Sequence, residues 1–420
     1  MEWLLSSVYS LLAVPRLYLG SALTSGFLIY YLSQVVKRPM LACSDGSFKN
    51  YLENNIPLLK EKFWPTLWCF EARAQTLMAS FVRATVIPHI TYKREILTLK
   101  DGGEVCLDWL DPYDGCPPET PTVIILPGLT GASQANYVKG LALSAKRIGV
   151  RTVVFNQRGI GGISLKTPRT YCAANSEDMV EVIEHVKRRC PGAPIAGTGI
   201  SMGGLILGNY ITSVEDAPDN LTCAMLISVP WNVFRGTESI EQPIVNLMLN
   251  WHLASSLCDV LKRVRHVMEP GPYAIDDVLK SKTIREFDSK FTVKQFGFKD
   301  VDDYYSRATL HDKIHKITVP VLCLSAADDP FQPLDGIPVE MANKLDKVGI
   351  VVTARGGHIG FMEGIWPLYR DQYMYKMFAQ FFEAVLVKEG YKQFKNEEDD
   401  RGCGSAAGLE ATDRREMATS

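Results

Sequence analysis

The pentapeptide Gly199-Ile200-Ser201-Met202-Gly203 constrains this chain more than any other segment. It follows the short apolar run Pro194-Ile195-Ala196-Gly197-Thr198 and opens what reads as a helix, which puts one serine on a sharp strand-to-helix turn. A buried central strand bounded by turn residues has this pattern, and a backbone turning so tightly leaves room only for small side chains beside the serine. This is the sequence form of a nucleophile elbow, which holds a hydroxyl where a base can activate it and an ester carbonyl can reach it. A dinucleotide-binding loop is the rival reading, but Gly197-Thr198-Gly199 is followed by Met202 where a third Gly or Ala is required.

An elbow serine of this kind needs an acid and then a histidine, in that order along the chain. His89 and His185 precede Ser201, and His252, His266, His311 and His315 precede the good acid candidate, which leaves His358 in the glycine-rich segment Gly356-Gly357-His358-Ile359-Gly360. A structural loop histidine is the competing reading. The acid should end the penultimate strand, and Val319 to Leu324 runs into Ser325-Ala326-Ala327-Asp328-Asp329-Pro330. Asp329 is preferred because it stands directly before the turn Pro330-Phe331-Gln332-Pro333, with Asp328 as a helper or loop cap. The acid would fix the histidine tautomer and stabilise the imidazolium. Oxyanion donors are expected from the backbone N–H of Met202 and of Leu129, in the loop Pro127-Gly128-Leu129-Thr130-Gly131 after the strand Thr122 to Leu126. Thr130 is the alternative donor, and the same glycines would also serve an ordinary tight turn.

The rest of the chain bounds the chemistry. Lys+Arg 45 against Asp+Glu 47 leaves no basic excess for nucleic acid. The ten cysteines form no C-x-x-C pair and there is no His-Glu-x-x-His, so neither a metal nor a cofactor is expected. From Pro121 onward strand and helix patterns alternate, which implies an α/β fold with a mostly parallel central sheet and helices on both faces. Ile90 to Leu99 and Glu104 to Leu110 read as a hairpin turning at Asp101-Gly102-Gly103. The organisation so read is a leader over 1–16, an anchor over 17–36, a helical lead-in over 37–89, a core in two parts over 90–230 and 317–388, an inserted lid over 231–316, and a disordered tail over 389–420. The first half of the lid is rich in large apolar residues, suited either to covering the sheet or to lying against a bilayer.

Leu17 to Val36 carries no charged residue over 20 positions, enough as a helix to cross about 30 Å of hydrocarbon. Tyr30 and Tyr31, then Lys37-Arg38, close it as interface anchors do, so it reads as a retained transmembrane signal-anchor. A cleaved signal peptide and an interfacial or buried helix are the alternatives. Lys37-Arg38 favours a cytosolic catalytic domain, whereas the sequon Asn220-Leu221-Thr222 would matter only in a lumenal one, so the side stays open.

Taken with the elbow, the segments Leu126-Pro127-Gly128-Leu129-Thr130-Gly131, Asn156-Gln157-Arg158-Gly159, Thr167-Pro168-Arg169-Thr170-Tyr171, Asp303-Tyr304-Tyr305 and Gly356-Gly357-His358-Ile359-Gly360-Phe361 resemble the membrane-anchored branch of the α/β-hydrolase-domain proteins, AB hydrolase 4 family. The resemblance runs from about Pro39 to about Ala384 and places that family's charge-relay residues on Ser201, Asp329 and His358. It implies an α/β-hydrolase fold and lipid or other carboxylic esters as substrates, with phospholipid acyl esters favoured. The implied setting is a single-pass protein of an endomembrane such as the endoplasmic reticulum. An acyltransferase using the same triad with an alcohol or lysolipid acceptor is the alternative, and a lipid-binding scaffold without turnover the third reading. Protein partners are not legible.

Overall fold

The computed structural model describes residues 16–367 and 371–392. Within them one nine-stranded sheet has the order β1-β9-β8-β7-β6-β4-β5-β3-β2. The strands are β1 Met40–Ala42, β2 Lys93–Thr98, β3 Glu104–Leu110, β4 Thr122–Leu126, β5 Arg151–Asn156, β6 Ile195–Ile200, β7 Cys223–Ile227, β8 Val321–Ala326 and β9 Val348–Thr353. Strands β4 to β9 run parallel, β2 and β3 form the expected hairpin, and β3 joins the sheet antiparallel to β5. Every residue of β4 and of β6 to β9 is buried, the apolar run that a sheet covered on both faces requires.

The helices of eight or more residues are α1 Arg16–Tyr30, α2 Ser47–Asn55, α3 Ala72–Val86, α4 Asn136–Arg147, α5 Glu177–Arg189, α6 Met202–Ser213, α7 Val233–Ile240, α8 Val245–Met268, α9 Val301–Ala308 and α10 Tyr373–Phe382. The two-residue period of the strands sorts the core into two layers. Val123, Ile125 and Leu322 face α4 and α10 through Val138, Leu141, Phe378 and Phe382, while Ile124, Leu126 and Cys323 face α5 and α6 through Met179, Val182, Leu207 and Tyr210. Helix α5 starts with Glu177 and Asp178 and ends with Lys187, Arg188 and Arg189, each charge set against the helix dipole.

Two segments differ from the sequence reading. The lead-in is not wholly helical, because Met40–Ala42 pairs antiparallel with Ile350–Val352 and covers what would be an exposed sheet edge. The apolar stretch from Leu17 to Val36 is not one regular helix: α1 gives way to a π-helical turn over Tyr31–Val35, whose Tyr31 and Val35 pack into the protein body. Among the described residues no single helix is long and apolar enough to cross a membrane. The leader through residue 15 and the tail beyond 392 lie outside the described residues.

Between β7 and β8 the chain leaves the sheet for a helical insertion. Helices α7 and α8 meet at a bend of 113°, and Ile244 at that corner has φ +69°, a costly conformation for a β-branched residue. Leu261, Met268, Val278, Phe287 and Phe291 give the insertion a small core of its own.

Candidate active site

Ser201 sits between β6 and α6 with φ +52° and ψ −119°, a strained backbone that turns its side chain out of the strand-to-helix corner. Its N–H donates to Ile227 O at 2.9 Å, and its carbonyl accepts from Gly204 and Leu205. The flanking glycines are obligatory for space. A Cβ on Gly199 would lie 2.5 Å from the Gly204 Cα, and one on Gly203 would lie 2.2 Å from the Leu126 carbonyl oxygen.

The loops after β8 and β9 bring the other residues to this hydroxyl. His358 Nε2 lies 2.9 Å from Ser201 Oγ, and His358 Nδ1 lies 2.9 and 3.1 Å from the two Asp329 oxygens. Asp329 is buried and also accepts the Phe331 N–H at 2.8 Å, while the Phe331 ring covers the imidazole at 4.2 Å between centroids. Three side chains spread over 157 residues are thereby joined in one hydrogen-bonded line. Asp328 takes a different partner: it accepts the Gly357 N–H at 3.0 Å, and burial pushes its carboxyl up to about 6.

The loop after β4 lies against the serine, with a Cβ on Gly128 falling 3.2 Å from Ser201 Cβ. The Gly128 N–H donates to Tyr137 Oη at 2.9 Å and the Thr130 N–H to Tyr171 Oη at 3.2 Å. The Leu129 N–H between them makes no hydrogen bond among the described residues. Met202 heads α6, where first-turn N–H groups have no partner inside the helix.

Sequence reasoning missed the residues that hold these loops. Thr76 Oγ1 on α3 accepts the His358 N–H at 2.9 Å, Gln75 Oε1 accepts the Met362 N–H at 2.9 Å, and Ser228 Oγ accepts the Ile359 N–H at 3.1 Å. The segment Thr167 to Tyr171 was legible as a motif, but not as the source of a phenol for the Thr130 amide. Similarly, Asn156 Nδ2 reaches Cys106 O and Asp108, and Arg158 forms a bidentate pair with Asp178 at 2.7 Å, so that motif braces the strand ends.

Ser201 and His358 open on a cavity of about 440 Å³ walled mostly by apolar side chains, among them Leu205, Leu249, Leu253, Leu257, Phe287 and Phe291. Asp288 is its buried acidic exception. Burial pushes this carboxyl up to about 7, and the Thr292 hydroxyl, at 2.7 Å, and the Tyr305 hydroxyl, at 3.2 Å, both donate to it. Among the described residues no cluster of three or more His, Cys, Asp or Glu is arranged to hold a metal.

A parallel sheet with a serine at its strand-to-helix turn and an acid and histidine on later loops defines the α/β-hydrolase class. Residues 121–365 match the model of the alpha/beta hydrolase fold family, and the chain belongs to that family. It is 41% identical over 381 residues to Phospholipase ABHD3 of Mus musculus, covering 89% of this chain and 91% of that protein. It is 36% identical over 317 residues to Protein abhd-3.2 of Caenorhabditis elegans, covering 75% and 83%, and 25% identical over 341 residues to Monoacylglycerol lipase ABHD2 of Mus musculus, covering 78% and 80%. Among solved structures, the Pyrococcus furiosus esterase Pf2001 superposes with a TM-score of 0.46 at 16% identity over 70% of this chain and 91% of that one. With these relatives the chain is a carboxylic ester hydrolase on the phospholipase branch of its family.

Proposed function

We propose that the protein hydrolyses acyl esters of lipids, phospholipids foremost, with Ser201 as nucleophile, His358 as general base and Asp329 as its orienting acid. The observation that carries this reading is the line from Asp329 through His358 to Ser201 Oγ, at hydrogen-bond distance throughout, ending in a largely apolar cavity. Asp329 fixes the proton on Nδ1, leaving Nε2 to take the Ser201 proton as the hydroxyl attacks the ester carbonyl. The tetrahedral oxyanion is received by the N–H groups of Met202 and Leu129, both without an internal partner, while Thr130 is engaged by Tyr171. The alcohol leaves with the proton from His358, and water then resolves the acyl-enzyme by the same path. No cofactor is needed. The acyl chain of a lipid suits the apolar wall, since burying it there removes hydrocarbon from water.

Membrane attachment belongs to the same reading. Helix α1 exposes Leu23, Phe27, Leu28 and Ile29, and its foot together with the following π-helical turn packs Phe27, Tyr30 and Tyr31 against Phe70. Helices α3 and α8 border the cavity; Leu77 lines it, and the same two helices expose Phe81, Met248 and Trp251 to solvent. Residues 17–36 would then anchor the protein and the insertion 231–316 would act as a lid that meets the bilayer, as an exposed apolar patch of this kind suggests. The domain boundaries read from the sequence follow the same scheme.

Fluorophosphonate labelling and product analysis test the reading. The wild type should label and release free fatty acid from phosphatidylcholine vesicles, and Ser201→Ala should do neither, losing at least about a thousandfold in turnover. Equal labelling of both proteins would refute Ser201 as nucleophile.

A further inference from the structure

Arg83 lies in the last turn of α3, is 4% exposed, and has no carboxylate partner among the described residues. Its Nη1 donates to Ile359 O at 2.7 Å and its Nη2 to Gly360 O, the two carbonyls directly after His358. Tyr375 covers the guanidinium at 5.4 Å from the ring centroid. Burying a charge without a counter-ion is expensive, so such a residue persists where its hydrogen bonds do something a neutral side chain cannot.

The backbone it holds explains what that is. Ile359 has φ +61° and Phe361 φ +47°, both in the left-handed region that side-chain-bearing residues avoid. Strained backbone of this sort survives only when its surroundings over-determine it. Two adjacent carbonyls pointing the same way match the planar fork of a guanidinium, which an ammonium cannot reproduce.

We propose that Arg83 is a positioning residue for the reaction, holding the strained loop through the Ile359 and Gly360 carbonyls so that His358 stays in line with Ser201. Thr76 and Gln75, about two turns earlier on the same helix, bond the His358 N–H and both backbone groups of Met362, so α3 grips the loop from the histidine's own N–H to Met362. The proposal rests on the hydrolase reading for its kinetics but not for its geometry.

The test compares the full chain with Arg83→Lys and Arg83→Met, using a water-soluble short-chain ester and the low-field proton resonance of the His358–Asp329 hydrogen bond. Displacing the imidazole should lower kcat about a hundredfold in Arg83→Met with KM within about twofold, and should shift or abolish that resonance in a protein that still melts cooperatively. Arg83→Lys should fall between this variant and the wild type, because it keeps one contact; it also supplies the readout if Arg83→Met does not fold. Wild-type kcat in both variants, or a loss of activity with the resonance unmoved, would overturn the proposal. If the wild type hydrolyses no ester, the hydrolase reading fails, while the resonance still reports on Arg83.

Discussion

Asp328 Oδ1 accepts the N–H of Gly357 at 3.0 Å, so the residues that precede Asp329 and His358 are bonded to each other just as Asp329 and His358 are. The two aspartates form consecutive rungs between the same two loops. Only the second rung reaches an imidazole, so the two adjacent aspartates have different partners.

Asp329→Asn should therefore lower kcat by about three to four orders of magnitude, since an amide at that place favours the wrong histidine tautomer. Asp328→Asn should cost less than about tenfold, because an amide oxygen can still accept the Gly357 N–H. Steady-state kinetics on one soluble ester decide it, and equal losses would reassign the acid.

Gly203→Ala should destabilise the fold, not merely the site. Its Cβ would fall 2.2 and 2.4 Å from the carbonyl oxygens of Leu126 and Pro127, backbone that cannot yield without moving β4. A cost of about 3 kcal/mol or more is expected, visible as a melting temperature several degrees lower. An unshifted melt would show that the elbow and the β4 loop separate easily.

Stability should also decline with pH through Asp288. Its carboxyl is raised to about 7 by burial, so between about pH 4 and pH 7 the folded chain keeps a proton that the unfolded chain releases. Folding stability from this group is complete below that window, falls across it by roughly 4 kcal/mol at most, and is flat above. Asp288→Asn cannot ionise, so the melting temperature of the variant relative to the wild type should rise from pH 4 to pH 8. A constant difference would mean that Asp288 titrates normally.

The double variant Met248→Asp/Trp251→Asp should discriminate between substrates by their physical state. Both side chains are exposed, at 66% and 57%, on the helix whose Leu249 and Leu253 wall the cavity, and charge there opposes contact with hydrocarbon. Activity on phospholipid vesicles should drop at least about tenfold while a monomeric ester loses little. Parallel losses would place these residues in the fold instead.

Much of this architecture was legible because its signals are local. The small residues around Ser201 and the apolar strands that end at Leu126 and Ala326 each follow from a few neighbouring positions, and the order of serine, acid and histidine is read by simply following the chain. The hairpin at Asp101-Gly102-Gly103 forms where its turn residues stand. What escaped depends on distance: Thr76 meets His358 across 282 residues and Tyr171 meets Thr130 across 41, and neither pairing leaves a pattern in its own segment. The apolar run from Leu17 to Val36 shows the opposite failure, because hydropathy alone does not reveal that Tyr31 and Val35 turn back into the protein body.

Helix α3 also bears on where this enzyme can be cut. The family match begins at residue 121, whereas Gln75, Thr76 and Arg83 lie well before it. A fragment trimmed to the recognisable hydrolase unit would keep Ser201, Asp329 and His358 yet lose the side chains that hold the loop of the last. Truncation intended only to shed the greasy amino end would best stop short of Met40, where β1 begins to cover the sheet edge, leaving a shorter chain whose histidine still has something to lean on.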